Sequence, residues 1–222
     1  MIATQKSFNT TGEANLPYVE LSFGLTGQTL PADHGYGLYS ALSHLQPELH
    51  HLDGLSIQTI TGIPDKQGKI YLSDKSRLRI RLPGEKVPLV YPLAGKQLTI
   101  GVHHIRLHIP QIFELKPASR LRSRIVTIKK FQEPEPFLDA AQRQLDELGI
   151  EGTITIPINA EGEPDRKAIK IKQYSVVGFG LEVTALNERD SIKLQEHGLG
   201  GKHRMGCGVF YSSANTRRFN FE

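Results

Sequence analysis

The chain has 222 residues, 38% hydrophobic and 23% charged, which excludes an intrinsically disordered protein and leaves room for one large domain or two small ones. Its 27 lysines and arginines against 23 acidic residues give a net charge of +4, which permits a polyanionic partner without demanding one. Cys207 is the single cysteine, so no intramolecular disulfide can form; the start, MIATQKSFNTTGEANLP, is polar, and no run approaches the roughly 18 apolar residues that span a bilayer, so a cytoplasmic protein without signal peptide or membrane segment is expected.

Residues 17–26 (PYVELSFGLT) alternate, with Val19, Leu21, Phe23 and Leu25 on one face, as in a half-buried strand. Residues 32–45 read as a helix: Asp33 suits the first turn or cap, and Leu38, Leu42 and Leu45 make an apolar stripe. Pro47 ends it or begins another turn. Residues 54–61 (GLSIQTIT) form a second strand, and 62–74, with Pro64, Asp65 and Gly68, a turn. Residues 77–82 (RLRIRL) alternate strictly. Residues 86–93 suit a short helix interrupted by Pro88 and Pro92, and 96–115 one long strand or two short ones broken near Pro110. This half runs β-α-β-β-α-β, the ferredoxin-like order.

The pattern then repeats. Residues 120–130 (RLRSRIVTIKK) read as a strand, and 136–148 as an amphipathic helix with Phe137, Ala140, Ala141, Leu145 and Leu148 on one face and Gly149 closing it. Residues 152–158 are a strand, 164–165 a turn, and 168–186 strand-rich, with Gly178 and Gly180 marking a bulge or bend. A short helix over 187–196, a glycine-rich segment and a last strand over 208–212 follow. The fold class expected is α+β, two tandem ferredoxin-like (RRM-like) units, one over 1–116 and one over 117–222.

Strand side chains alternate, so Arg77, Arg79 and Arg81 point one way, as do Arg120, Arg122 and Arg124. His104, Arg106 and His108 form a weaker row, and Lys170 with Lys172 another. Aligned like charges repel, so each row is either an ordinary solvated face or is neutralised by a partner such as the phosphates of RNA. Tryptophan is absent, so base stacking must use Tyr, Phe, His or Arg.

Gly198 to Gly208 (GLGGKHRMGCG) carries five glycines with Lys202, His203 and Arg204. Glycine allows positive φ and close approach to a phosphate, which fits an anion-binding loop better than a plain hairpin turn. It is not a Walker loop, since Glu196 and His203 stand where glycine and Ser or Thr belong, and a strand-like run follows where a dinucleotide site needs a helix. His50 with His51, and His103 and His104 with His108, lack metal-ligand spacing, so neither metal nor cofactor is expected. No G-x-S-x-G is present.

GLGGKHRMGCGVF, ahead of the last strand, resembles the glycine-rich loop of the CRISPR-associated RAMP superfamily. LPADHGYGLYSALSHLQPELH resembles the opening of its repeat-processing endoribonuclease branch, the MYXAN-like variety. The resemblance implies a metal-independent nuclease that binds CRISPR repeat RNA and cuts precursor crRNA by 2′-OH attack, leaving a 2′,3′-cyclic phosphate and a 5′-OH. It also implies a catalytic histidine near the first helix, matched here by His34. An imidazole can take or give the proton, and a helix N-terminus welcomes a phosphate. Gly35 and Gly37 leave room for a substrate backbone, Tyr36 or Tyr39 would orient the phosphate or assist proton transfer, and His44 lies nearly three turns on. The two arginine rows, Lys170, Lys172, Gly200, Gly201, Lys202, His203 and Arg204 are the expected RNA contacts. The competing expectation is a non-catalytic RNA-binding subunit of a CRISPR effector complex, which needs no histidine at the site; other effector subunits are the further partners implied.

Overall fold

A computed structural model describes residues 16–212. In chain order the strands and helices are β1 (Tyr18–Gly27), β2 (Thr29–Pro31), α1 (Gly35–Leu45), β3 (Ser56–Gln58), β4 (Ile63–Pro64), β5 (Lys69–Tyr71), β6 (Arg77–Pro83), α2 (Val87–Val90), β7 (Gln97–Ile100) and β8 (His103–Glu114). There follow β9 (Leu121–Val126), α3 (Pro134–Glu147), β10 (Thr153–Thr155), β11 (Arg166–Ile171), β12 (Tyr174–Thr184), α4 (Glu188–His197) and β13 (Tyr211–Ser212). Among these residues no helix is long and apolar enough to cross a membrane.

Alternation along β1 puts Leu21 and Phe23 in the first core, against Leu38 and Leu42 of α1 and Leu78 and Ile80 of β6. The sheet runs β3-β6-β1-β8-β7, all antiparallel. The second half runs β10-β12-β9-β13, with β11 paired to β12. Its core gathers Phe137, Ala141 and Leu145 of α3 against Leu121, Phe179, Leu181 and Phe210. If β3, β6 and β8 are counted as second, third and fourth strands after β1, the first order is 2-3-1-4, and β9, β10, β12 and β13 repeat it. Both halves are therefore ferredoxin-like, as the sequence pattern predicts.

Of three segments, one departs from the sequence expectation and two follow it, each for a physical reason. Residues 62–74 are not only a turn: β4 and β5 pair with β2 in a separate three-stranded ribbon. α2 is a single turn flanked by 3-10 turns, because Pro88 and Pro92 remove donors from any longer helix. Residues 168–186 are the hairpin β11–β12, whose pairing with β9 shifts register between Phe179 and Leu181 as the two glycines there suggest. A small third cluster, Ile125, Ile169 and Cys207, lies under the glycine-rich segment.

Arg81 joins the halves. It faces Glu20 across the β1–β6 pair and is only 2% exposed. Its guanidinium donates to Glu20 Oε2 at 3.0 Å, to the Gln195 carbonyl at 2.6 Å and to the Phe210 carbonyl at 2.9 Å. The cation of the first sheet thereby caps the end of α4 and the approach to β13, where carbonyls lack helical donors. Arg81→Ala leaves Glu20 and both carbonyls without their donor, and is expected to remove about 3–5 kcal/mol of stability in urea unfolding. A loss below about 1 kcal/mol would show that the bridge is dispensable.

Candidate active site

α1 begins against the glycine-rich segment. Gly35 packs on the Met205 carbonyl so closely that a Cβ there would overlap it, and Gly37 abuts Ile100 Cγ2. The room left by these glycines is filled by the chain itself, not kept for substrate. Asp33 does not cap α1: its carboxylate accepts the Lys170 amide at 2.6 Å, tying the β11–β12 hairpin to the helix start.

His34 stands at the N-cap position and is 2% exposed. Its Nδ1–H donates to the Pro31 carbonyl at 2.8 Å, and Nε2 accepts the Ile60 amide at 2.9 Å. That pair of bonds selects the neutral Nδ1–H tautomer. Burial pushes its pKa down, against the opposing pull of the Pro31 carbonyl, and nearby Arg124 lowers it further. The sequence expectation has His34 as a free general acid or base; in the structure both of its nitrogens are engaged, and it holds residues 31 and 60 together.

A different imidazole is available. After Leu45 the chain turns through Pro47–His50 as a 3-10 turn and brings His50 back beside α1. The Tyr39 hydroxyl lies 2.9 Å from His50 Nδ1, with the two rings edge-on at 5.5 Å. His50 is exposed, and its Nε2 makes no hydrogen bond among the described residues. The Tyr39 hydroxyl can donate to Nδ1 or accept from it, so the pair supports either an Nε2–H donor or an Nε2 lone pair. Arg204 fixes the backbone beneath: its Nη1 donates to the His50 carbonyl and its Nη2 to the Leu52 carbonyl, both at 2.7 Å. Tyr39, a sequence candidate, therefore serves a histidine that sequence reasoning considered only as a metal ligand; the usable signal was the P-E-L-H turn directly after the helix. Tyr36 is half-buried on the first turn, and His44 is exposed at the last.

The cationic rows divide. Arg77 donates to the Asp74 and Ser76 carbonyls, Arg79 pairs with Glu20 at 3.5 Å, and Arg81 is the buried bridge already described. Arg120 pairs with Glu182 at 2.7 Å, and Arg122 approaches Asp165 at 3.9 Å. The row over residues 77–81 is consequently neither a solvated face nor a bare phosphate track: the chain supplies its own neutralising groups, and Arg81 is withdrawn as an RNA contact. Arg122, Arg124 and Arg79, from both sheets, converge on half-buried Tyr211; they favour its ionisation, but burial outweighs them and its pKa is raised. Lys170 and Lys172 are exposed. His103, His104 and His108 bond Thr29, Thr99 and Thr26 respectively and do not converge.

The glycine-rich segment is built inward. Gly198, Gly200, Gly206 and Gly208 all have positive φ, and Gly206 leaves no room for a Cβ beside Thr59. Its amides are used: Gly200 donates to Gln144 Oε1 at 2.7 Å, Gly201 to the Thr127 carbonyl at 3.0 Å and Gly208 to the Ile125 carbonyl at 2.8 Å. His203 is half-buried, its pKa lowered by burial, and its Nε2 contacts the Leu199 carbonyl at 3.3 Å. Of the expected RNA contacts, Gly200, Gly201, His203 and Arg204 spend donors on the fold itself, and Lys202 is exposed. Beneath, burial raises the Cys207 thiol to about 11.

A family model described as Cas6, Cas6 Crispr, matches residues 19–215. The chain is 33% identical over 201 residues to the CRISPR-associated endonuclease Cas6 of Myxococcus xanthus (strain DK1622), covering 90% of this chain and 84% of that relative. Its fold is similar to the solved product of a Cas6-related gene from Pyrococcus furiosus, with a TM-score of 0.62 at 16% identity over 87% of this chain and 98% of that one. It is also similar to a structure described as a RAMP protein binding different RNA substrates, with a TM-score of 0.60 at 17% identity over the same shares.

The depressed pKa of His34 and His203 has a signed consequence. Both fold as neutral imidazoles, so their contribution is whole above the unfolded value near 6.5 and is lost as pH falls from there toward the lower folded values. Unfolding free energy measured in urea is expected to fall between about pH 7 and pH 5. In His34→Asn that dependence should be shallower; an unchanged slope would show that His34 carries none of it.

Proposed function

The chain belongs to the Cas6 family, and we propose that it is an endoribonuclease that binds CRISPR repeat RNA and cuts the precursor transcript without a metal. The observation that carries this reading is the Tyr39–His50 pair: an exposed imidazole with one nitrogen held, the other open, and its backbone gripped by Arg204. RNA brings its own nucleophile, so the protein need only position a phosphate and move protons.

In the proposed reaction, His50 Nε2 accepts the proton of the ribose 2′-OH upstream of the scissile bond. The 2′-oxygen bonds to phosphorus as the bond from phosphorus to the 5′-oxygen breaks. The departing 5′-oxygen takes a proton from a water molecule, the protonated His50 returns its proton to the hydroxide left behind, and the products are a 2′,3′-cyclic phosphate and a 5′-OH. Tyr39 orients the imidazole and sets which nitrogen carries hydrogen. His34, two residues before Tyr36, supports the start of α1 through Pro31 and Ile60 and positions this apparatus without touching the phosphate. We divide the chain into two RNA-handling units at residues 116 and 117, between β8 and β9.

Labelled repeat RNA is expected to be cut with EDTA present. His50→Ala should lower the single-turnover rate by about 100-fold or more while leaving repeat binding within a few fold. Tyr39→Phe should lower it by about tenfold, the size of one lost hydrogen bond. Full cutting by His50→Ala would remove His50 from the mechanism. Tight binding without cutting by the wild type would favour the non-catalytic subunit.

A further inference from the structure

Part of the unpaired positive charge of the second half sits on its turns, beside an arginine-faced strand whose outer cations are paired. Among the described residues four that are not glycine have positive φ, and three of them are lysines: Lys130 at 75°, Lys172 at 55° and Lys202 at 68°. Glycine or asparagine would take such backbone at lower cost. All three are exposed, as are their neighbours Lys129 and Lys170. Among the described residues none of these five side chains makes an ion pair or a hydrogen bond. The strand arginines Arg120 and Arg122, by contrast, have carboxylate partners.

The three tips share one end of the second sheet. β9 leaves its ladder at Val126, and a bridge between Ile128 and Phe131 closes the tight turn bearing Lys129 and Lys130. Thr127 bridges Gly201, which holds the glycine-rich segment, with Lys202, against the end of β9. β12 runs antiparallel to β9, and Gly178 packs on the Val126 carbonyl. The β11–β12 hairpin, turning at Lys172, therefore projects past this same end. Its Lys170 amide is bonded to Asp33, so the tips adjoin the start of α1. On the hairpin, Tyr174 faces Ile171 and is 65% exposed, an aromatic ring beside the lysines with no core to fill.

We propose that this rim of turn lysines grips the RNA phosphodiester backbone, and that Tyr174 stacks on one unpaired base. The proposal rests on the reading of the chain as a repeat-RNA nuclease and names the surface that holds the substrate. Unpaired cations release condensed counterions from the RNA when they neutralise its phosphates, whereas cations already committed to carboxylates change little. Lysine at these left-handed positions places charge where glycine would be the easier backbone.

The test is filter binding of the full chain to 5′-labelled repeat RNA made with 2′-fluoro riboses, which lack the attacking hydroxyl, across about 50–300 mM KCl. Lys172→Gln and Lys202→Gln are each expected to shallow the slope of log K against log salt by about 0.7–0.9, and the double variant by the sum. Arg120→Gln should leave the slope as it is. Tyr174→Leu should weaken binding by about fivefold or more at an unchanged slope, because stacking releases no ions. Lys172→Gly and Lys202→Gly, which relax the left-handed backbone, should keep the melting temperature and bind as weakly as the glutamine forms, which separates lost charge from lost fold. Lysine variants with the wild-type slope, in a protein whose wild type binds and cuts the unmodified repeat, would overturn the rim alone. A wild type that neither binds nor cuts it would overturn both readings.

Discussion

The guanidinium of Arg81 is the contact on which the arrangement of the two halves turns. It leaves a strand of the first sheet, is neutralised by Glu20 on the neighbouring strand, and ends on two carbonyls of the second half. A buried cation without such partners would cost far more than the contacts return, so its presence fixes where the α4 end and the approach to β13 can lie. The glycine-rich segment, strung between those two elements, is thereby presented to α1, and Arg204 reaches the carbonyls of His50 and Leu52. The exposed imidazole owes its place to a chain of backbone contacts that begins with one strand arginine.

This organisation divides labour between two kinds of cation. Arginine, with five donors in a planar fork, satisfies several fixed acceptors at once and serves as an internal clamp at Arg81 and Arg204. Lysine, a mobile point charge, occupies tight turns at residues 130, 172 and 202. A flat count of basic residues hides that division, since charges of the first kind are largely spent before any partner arrives.

Much of the fold was legible because period is a local property. The alternation in β1 and β6 and the stripe of α3 follow directly from which side chains must be dry. The β2-β5-β4 ribbon was not, because strands of two and three residues are too short to alternate visibly and Pro64 reads as a turn. At the site, the sequence pointed to the first helix and to Tyr39, which bonds His50. It could not show that both nitrogens of His34 are engaged, because one of those bonds comes from an amide 26 residues away. The partners of the arginine rows were hidden similarly: alternation tells which side a residue faces, while Glu20 lies on another strand.

Cys207 shows how far context can change a residue's chemistry. Packed with Ile125 and Ile169 and with a thiol raised to about 11, it exposes on the order of one thiolate in ten thousand at neutral pH. Its sulfur acts as apolar filler beneath the loop, so peroxide, alkylating agents and disulfide exchange find almost no nucleophile. The count of one cysteine thus says little about the redox setting in which the chain works: the same packing would keep this sulfur silent in an oxidising medium as in a reducing one.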